Sequence, residues 1–390
     1  MNRIRKHLLE TLIVSIVILC IVLGAAGYRL SSEMQKDQSE TADFPWSVSP
    51  DAGYTLIEET VEANHFKATA ADGSKVCING EGQPIEACKN GHRFTNGLYE
   101  FVQEEKSGLK DASGKVVADA DIFHFEDCGE YLITFSNADD QWKSAALYNG
   151  SGKAVLKEKS YCHLSSLGDN WFFAECDNNY VYNANTKEKI FIDNEILLIH
   201  GDESSGFYGE IGPLVEIYPL DEQFKLQKDG IKYDDMRELS EGLRFVQMAL
   251  PENPQEDIFA YVNADNEVII NLREEDGSIP KMASPFSEGK AFVQQGTELL
   301  CIDNQGEILF DLSVASEKYN IEETTFHEGY AALSLDDDSF DLLDRKKRYG
   351  YVDEIGVFVI SPKLYAAGNV RSGYAVAATG AENYGILNFD

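Results

Sequence analysis

The sequence predicts an all-β repeat protein of about eight ~40-residue β-units, arranged as a β-propeller or, alternatively, as an open β-solenoid or stacked sheets, behind one N-terminal transmembrane helix. Three observations predict it. A glycine opening a strand-like run recurs at Gly97, Gly129, Gly242, Gly289, Gly329 and Gly373. An apolar run into Asn or Asp recurs at Asn79, Asp111, Asn149, Asn183, Asn263, Asp303, Asp353 and Asn388. No segment after Tyr28 carries a helical period of useful length,.

Residues 1–28 supply the membrane segment. Arg3, Arg5, Lys6 and His7 precede Leu12–Ala26, which is apolar apart from Ser15 and Gly24. Residues 12–28 would span about 25 Å as a helix,, the lower limit for crossing a bilayer. Basic residues before the segment place the N-terminus in the cytoplasm and send the rest outward. This pattern reads as an uncleaved signal anchor, with cleavage at Gly24-Ala25-Ala26 as the alternative,. Leu19 stands where lipid attachment to Cys20 would want a small residue. Residues 29–50 are a polar linker, with Phe44 and Trp46 marking where the chain docks onto the domain,. Residues 51–390 form the β-repeat domain.

Charge divides the same way. The chain carries Lys+Arg 33 against Asp+Glu 67, a formal net charge of -34. Four basic residues and Glu10 give residues 1–29 a charge of +3, leaving -37 for the rest. That balance excludes nucleic acid as a partner, because its phosphates would be repelled. It reads as a solvated acidic skin, not as one acidic site. Beyond Cys20 there are Cys77, Cys88, Cys128, Cys162, Cys176 and Cys301. Outside the cell they could oxidise in 15 pairings, yet they are too sparse for a disulfide-built scaffold. No CxxC spacing supports zinc,. Cys77 and Cys301 hold equivalent repeat positions, which points to strand packing for those two.

Within a unit, the glycine opens one strand, and a turn returns the chain as a second strand ending at the Asn or Asp. That residue and a Gly three later make a tight turn, since Asn and Asp tolerate left-handed backbone and Gly supplies positive φ. A third strand follows, such as Val357–Ile360, stopped by Ser361-Pro362. The gap between Asn183 and Asn263 spans two units, with a degenerate copy around Gly206–Asp221.

The run Phe326-His327-Glu328-Gly329-Tyr330-Ala331, then Arg348-Tyr349-Gly350-Tyr351-Val352-Asp353, Gly356, Val359-Ile360-Ser361-Pro362 and Tyr365 resembles the bacterial WG repeat, also called KWG. Tyr349 replaces the Trp of that repeat, as does Tyr384 before Gly385. The resemblance covers residues 65–390 loosely and 286–390 well. It implies a β-repeat fold and no particular activity.

The unit count is open at one point. Strand starts near 65, 97, 129, 169, 206, 242, 289, 329 and 373 number nine, whereas propellers usually have four to eight blades,. Either the copy at 206 is not a blade or the 32-residue unit shares strands. The last copy is short of strands, so Gly53–Val61 is expected to complete it and clasp the ring.

Four constellations could carry chemistry. His92, His124, His163 and His200 lie five or six residues before successive strand starts, so a ring could gather them into a metal or anion cluster,. As half-exposed loop residues they would do nothing of the kind. Asp336, Asp337 and Asp338 form a weak-cation candidate, partly neutralised by Arg345–Arg348,. Asn263, Asp265, Glu267 and Glu274 mimic a calcium loop but lack its glycine and flanking helices,. Insertions at 136–144, 250–258 and 335–348 extend one hairpin turn on one side of the fold, where Trp142 and Phe340 offer apolar binding anchors,.

No nucleophile elbow, P-loop, zinc-protease or dinucleotide motif is present,. No catalytic residue and no cofactor is assigned. The expected role is a non-enzymatic, membrane-tethered extracellular scaffold, binding a protein or cell-envelope polymer through the inserted loops. The alternative is a propeller-type glycoside hydrolase or lyase, although 67 carboxylates make chance acidic pairs too common to single one out,. A sensor domain is disfavoured by the short cytoplasmic segment.

Overall fold

The computed structural model describes residues 44–389 apart from 61, 86–91, 104–105, 139–140, 160–161, 169, 214, 251–252, 273–281, 296–297, 313–317, 322–323 and 337–346. The expected transmembrane helix at residues 12–28 lies outside them. No helix among the described residues is long and apolar enough to cross a membrane.

The described chain is antiparallel strand throughout, relieved by one 3-10 turn at Pro50–Ala52. Seven hydrogen-bonded sheets form among the described residues. Two of them each join two repeat units, so there are nine units in sequence. Unit 7 shows the plan: Met282–Ala283, Lys290–Gln295, Glu298–Asp303 and Ile308–Asp311 pair in chain order. The alternation of its second strand explains the stacking. Ala291 and Val293 point into the core shared with unit 6, while Phe292 points into the core shared with unit 8. A strand with a side-chain period of two and cover on both faces must be apolar on both.

The unit count resolves in favour of nine. The copy at 206 is a unit, with strands Ile196–Asp202, Gly206–Ile211 and Glu216–Pro219. Units 2 and 3 share the 13-residue strand Val116–Cys128. Its N-terminal half pairs with Lys106–Lys110 and its C-terminal half with Tyr131–Ala138. A 32-residue repeat is too short for separate edge strands, and continuity through the shared strand is the result. The expected eight becomes nine.

Closure differs from the expectation as well. The strand completing unit 9 is Trp46–Val48, which pairs with Asn383–Asn388. Tyr54–Glu59 instead opens unit 1, because its nearest partner is the hairpin strand His65–Ala70. Between them Ser49 caps the 3-10 turn that carries the chain across. Unit 9 then packs on unit 1 through Val48, Ile57, Phe66, Ile78, Tyr374 and Ile386. Phe44 and Trp46 dock at the seam between units 8 and 9. First and last units are therefore in contact, which excludes an open solenoid.

Apolar clusters fill the seams 2/3 through 8/9 in turn. Seam 1/2 is held by ion pairs, Glu62–Arg93 at 3.0 Å and Lys67–Glu100 at 3.8 Å.

Two turns recur. At the second, the Asn or Asp oxygen accepts backbone N–H groups two and four residues on, as Asp353 does from Ile355 and Val357. Gly356 follows at φ 82, and its missing side chain also admits the Phe310 ring of unit 7. At the first, Glu241, Glu288 and Glu328 adopt φ of 52–53 ahead of a positive-φ glycine. Such a conformation is costly for glutamate. The compensation crosses the seam: Glu288 accepts from the backbone of Glu328 at 2.6 Å and of Gly329 at 2.9 Å. Glu241 holds unit 7 and Glu328 holds unit 9 in the same way. Replacing Glu288 by alanine removes both bonds while the strained turn remains. We expect a loss of about 1–2 kcal/mol, discounted for the exposed site, in a urea titration. A stability unchanged within error would show that the clamp is ornamental.

Candidate functional site

The four predicted histidines sit on or beside the first strands of units 2 to 5. His92 meets Phe94 edge-on at 4.8 Å, and burial and the Lys67 charge hold its imidazole below the ordinary value. His124 and His163 stack on the Phe135 ring, at 5.8 and 5.3 Å. His200 bonds Glu210 at 2.9 Å. The fold thus brings two of the four to one aromatic ring and gives the others separate partners. No group of three or more metal-ligating side chains gathers among the described residues.

Asp336 ends the strand Tyr330–Asp336, opposite Lys347. Asp337, Asp338 and Phe340 lie outside the described residues. Trp142 lies in the strand Gln141–Asn149, opposite Asn137. The calcium-like sequence at Asn263 is the recurring turn, its oxygen accepting from Asp265 and Glu267. Glu274 lies outside the described residues. Cys77 is disulfide-bonded, not merely packed in its strand, and Cys162 is bonded to Cys176. Cys301 is a buried free thiol, as strand packing predicts. Burial pushes both free thiols, Cys128 and Cys301, up to about 12, so neither is a nucleophile at neutral pH,.

The hairpins of units 3 and 6 run Tyr131–Ala138 into Gln141–Asn149 and Arg244–Leu250 into Asn253–Val262. In unit 7 the pairing ends at Gln295 and Glu298. Unit 8 interposes residues 337–346 between its two strands.

A cleft of about 410 Å³ lies where units 2 and 3 diverge from their shared strand. Asp119, Asp121 and Lys157 stand exposed at its rim. Thr134, Ser136, Ser144 and Tyr148 line it within. Ser136 and Ser144 are hydrogen-bonded across the base of the unit 3 hairpin. Lys157 lies 5.9 Å from the centre of the Tyr148 ring. Burial, then Asp121 and Asp119, push the Tyr148 phenol up, so it is neutral at physiological pH.

Repeat register explains why this part of the seam is open. Thr134 pairs with Ala146, three residues before the turn residue Asn149. At that register unit 6 has Val246 and unit 8 has Leu333. Two residues further on, Ser136 corresponds to Met248 and Leu335. All four apolar counterparts are buried in their seams. Hydroxyl side chains therefore stand where units 6 and 8 place core side chains, and this part of the seam stays open beside the apolar cluster that fills the rest. These residues carry no motif of their own; only alignment of the repeats strand by strand exposes the change from apolar to hydroxyl.

Glu158 at the cleft wall is already committed. Burial would raise its carboxyl, but the Lys189 ammonium at 2.6 Å and the Tyr180 hydroxyl at 2.7 Å hold it below the ordinary value. A depressed folded-state value means the contribution is complete above the ordinary carboxylate range of about 4. It is lost as pH falls through the folded value. The stability gap between wild type and Glu158→Gln is thus expected to be widest near pH 6 and to shrink below pH 4, read from melting temperatures. A gap independent of pH would contradict the assignment. Being ionised, Glu158 is also unsuited to the raised general acid that glycoside hydrolysis needs.

The chain is similar to several solved structures. A crystal structure of a eukaryotic initiation factor superposes with TM-score 0.50 at 13% identity, over 82% of this chain and 90% of that chain. The beta-propeller domain of Myceliophteria thermophila Cps50 (Swd1) gives 0.31 at 10%, over 77% and 96%. BamB from Moraxella catarrhalis gives 0.29 at 9%, over 85% and 80%. No curated protein matches the sequence. Residues 349–380, from the third strand of unit 8 to the second of unit 9, match the WG containing repeat. The chain is a propeller-like β-repeat protein that carries a WG containing repeat.

Proposed function

We propose that this chain is a non-enzymatic, membrane-tethered extracellular scaffold that binds a protein or cell-envelope polymer. One observation carries the reading: the extended hairpins of units 3, 6 and 8 all leave from the same turn of a ring whose units are tied to one another. Rigid frames that present long loops from one side are suited to recognition. The Cys162–Cys176 disulfide supports an oxidising location, as an outward-facing domain would have,. Residues 12–28 would provide the anchor, with the N-terminus in the cytoplasm,.

The test is recovery of partners from cell envelopes by the full chain and by a variant with the three hairpins shortened to the unit 7 length. Loss of specific partners from the shortened variant is expected. Equal recovery would sink the reading.

A further inference from the structure

We propose that the cleft between units 2 and 3 is a saccharide site, taking one or two pyranose rings of a neutral cell-envelope polymer. This rests on the binding-scaffold reading and gives it a ligand class. Two independent features point there. The first is the replacement, in register, of Val246/Met248 and Leu333/Leu335 by Thr134/Ser136. Units 6 and 8 show that register packed; a hydroxyl-lined volume of about 410 Å³ is a departure from them,. The second is Tyr148, which is 5% exposed and brings a neutral phenol to the cleft wall, its ring centre 5.9 Å from Lys157.

The lining chemistry selects among ligands. Ser, Thr and Tyr hydroxyls both donate and accept, Lys157 only donates, and Asp119 and Asp121 only accept. A sugar's vicinal hydroxyls need that mixture. Ala146 and Ile122 supply an apolar wall for its C–H face. An organic amine fits less well, because Lys157 shares the rim and Glu158 is already neutralised by Lys189.

The full-length protein, in a detergent without a sugar headgroup, is titrated calorimetrically with maltose, cellobiose and N,N′-diacetylchitobiose, and separately with spermidine. At least one disaccharide is expected to bind, and Thr134→Val/Ser136→Leu to weaken it at least tenfold. That variant installs residues other units carry at these positions, so it should melt no lower than wild type; Tyr148→Phe offers a second, milder loss. No disaccharide binding, equal affinity in the filled variant, or binding of spermidine alone would overturn the proposal. A variant shortened only at the hairpins of units 6 and 8 keeps the cleft intact. It should bind the sugar as wild type does, so failure of the loop reading and failure of the cleft are told apart.

Discussion

A chain beginning at Ser49 is expected to unfold about 3–5 kcal/mol more easily than one beginning at Phe44, because only the longer one keeps the closing strand. The estimate combines burial of Val48 and the half-buried rings of Phe44 and Trp46 with the ladder bonds to Asn383–Asn388,. The bond from the Asn388 N–H to the Pro45 carbonyl, at 2.8 Å, is lost with them. Urea denaturation of the two chains reads the difference. A second consequence is association, since an uncovered edge strand pairs readily with another chain. Gly385→Val probes the same contact without truncation. A Cβ there would lie 2.5 Å from the Val48 carbonyl and 2.9 Å from the Trp46 ring, so the closing strand would have to move. Equal stability of both chains and a monomeric short form would contradict the closure.

Tyr351→Ala should cost about 3–5 kcal/mol, the range for emptying a fully buried aromatic site. Tyr351 is 0% exposed, packs edge-on to Phe389 at 4.8 Å and donates its hydroxyl to the Gly368 carbonyl at 2.7 Å. Tyr261 stands two residues before its turn residue, as Tyr351 does, and reaches the Ser284 carbonyl in the next unit at the same 2.7 Å. In both, a strand residue of one unit hooks the following unit. Burial pushes both phenols up, which keeps them neutral donors at any physiological pH. Tyr351→Phe keeps the ring and leaves one carbonyl unpaired, so about 1–2 kcal/mol is expected from it. Thermal and urea melts of the two variants separate packing from the hook. If Tyr351→Phe were as damaging as Tyr351→Ala, the packing contribution would be misjudged.

The repeat was legible because its signals are local. An Asn or Asp four residues ahead of a backbone donor and a glycine at positive φ recur whatever the seam contains, as at Asp111, Asp303 and Asp353. The degenerate copy was legible too: Asp221 makes the same turn, with Phe224 at φ 56 in place of glycine. What was not legible depended on contacts remote in sequence. Trp46 and Ile386 belong to one sheet across 340 residues of chain, and no local pattern distinguishes Trp46–Val48 from Tyr54–Glu59 as the clasp. Both are short and strand-like; the choice is made by which edge is left open. Sharing of Val116–Cys128 was one of two arithmetic options, and only pairing on both sides decides it. The cleft escaped for a different reason. Thr134 and Ser136 are ordinary strand residues until they are set beside Val246 and Met248 in register.

The closing strand is the feature on which the ring depends, and amide hydrogen exchange tests it directly. Amides in Trp46–Val48 and Asn383–Asn388 should exchange as slowly as those of Tyr330–Asp336 in unit 8, opening only with global unfolding,. Exchange at Trp46–Val48 and Asn388 at the rate of an unstructured chain, with unit 8 still protected, would contradict a closed nine-unit ring.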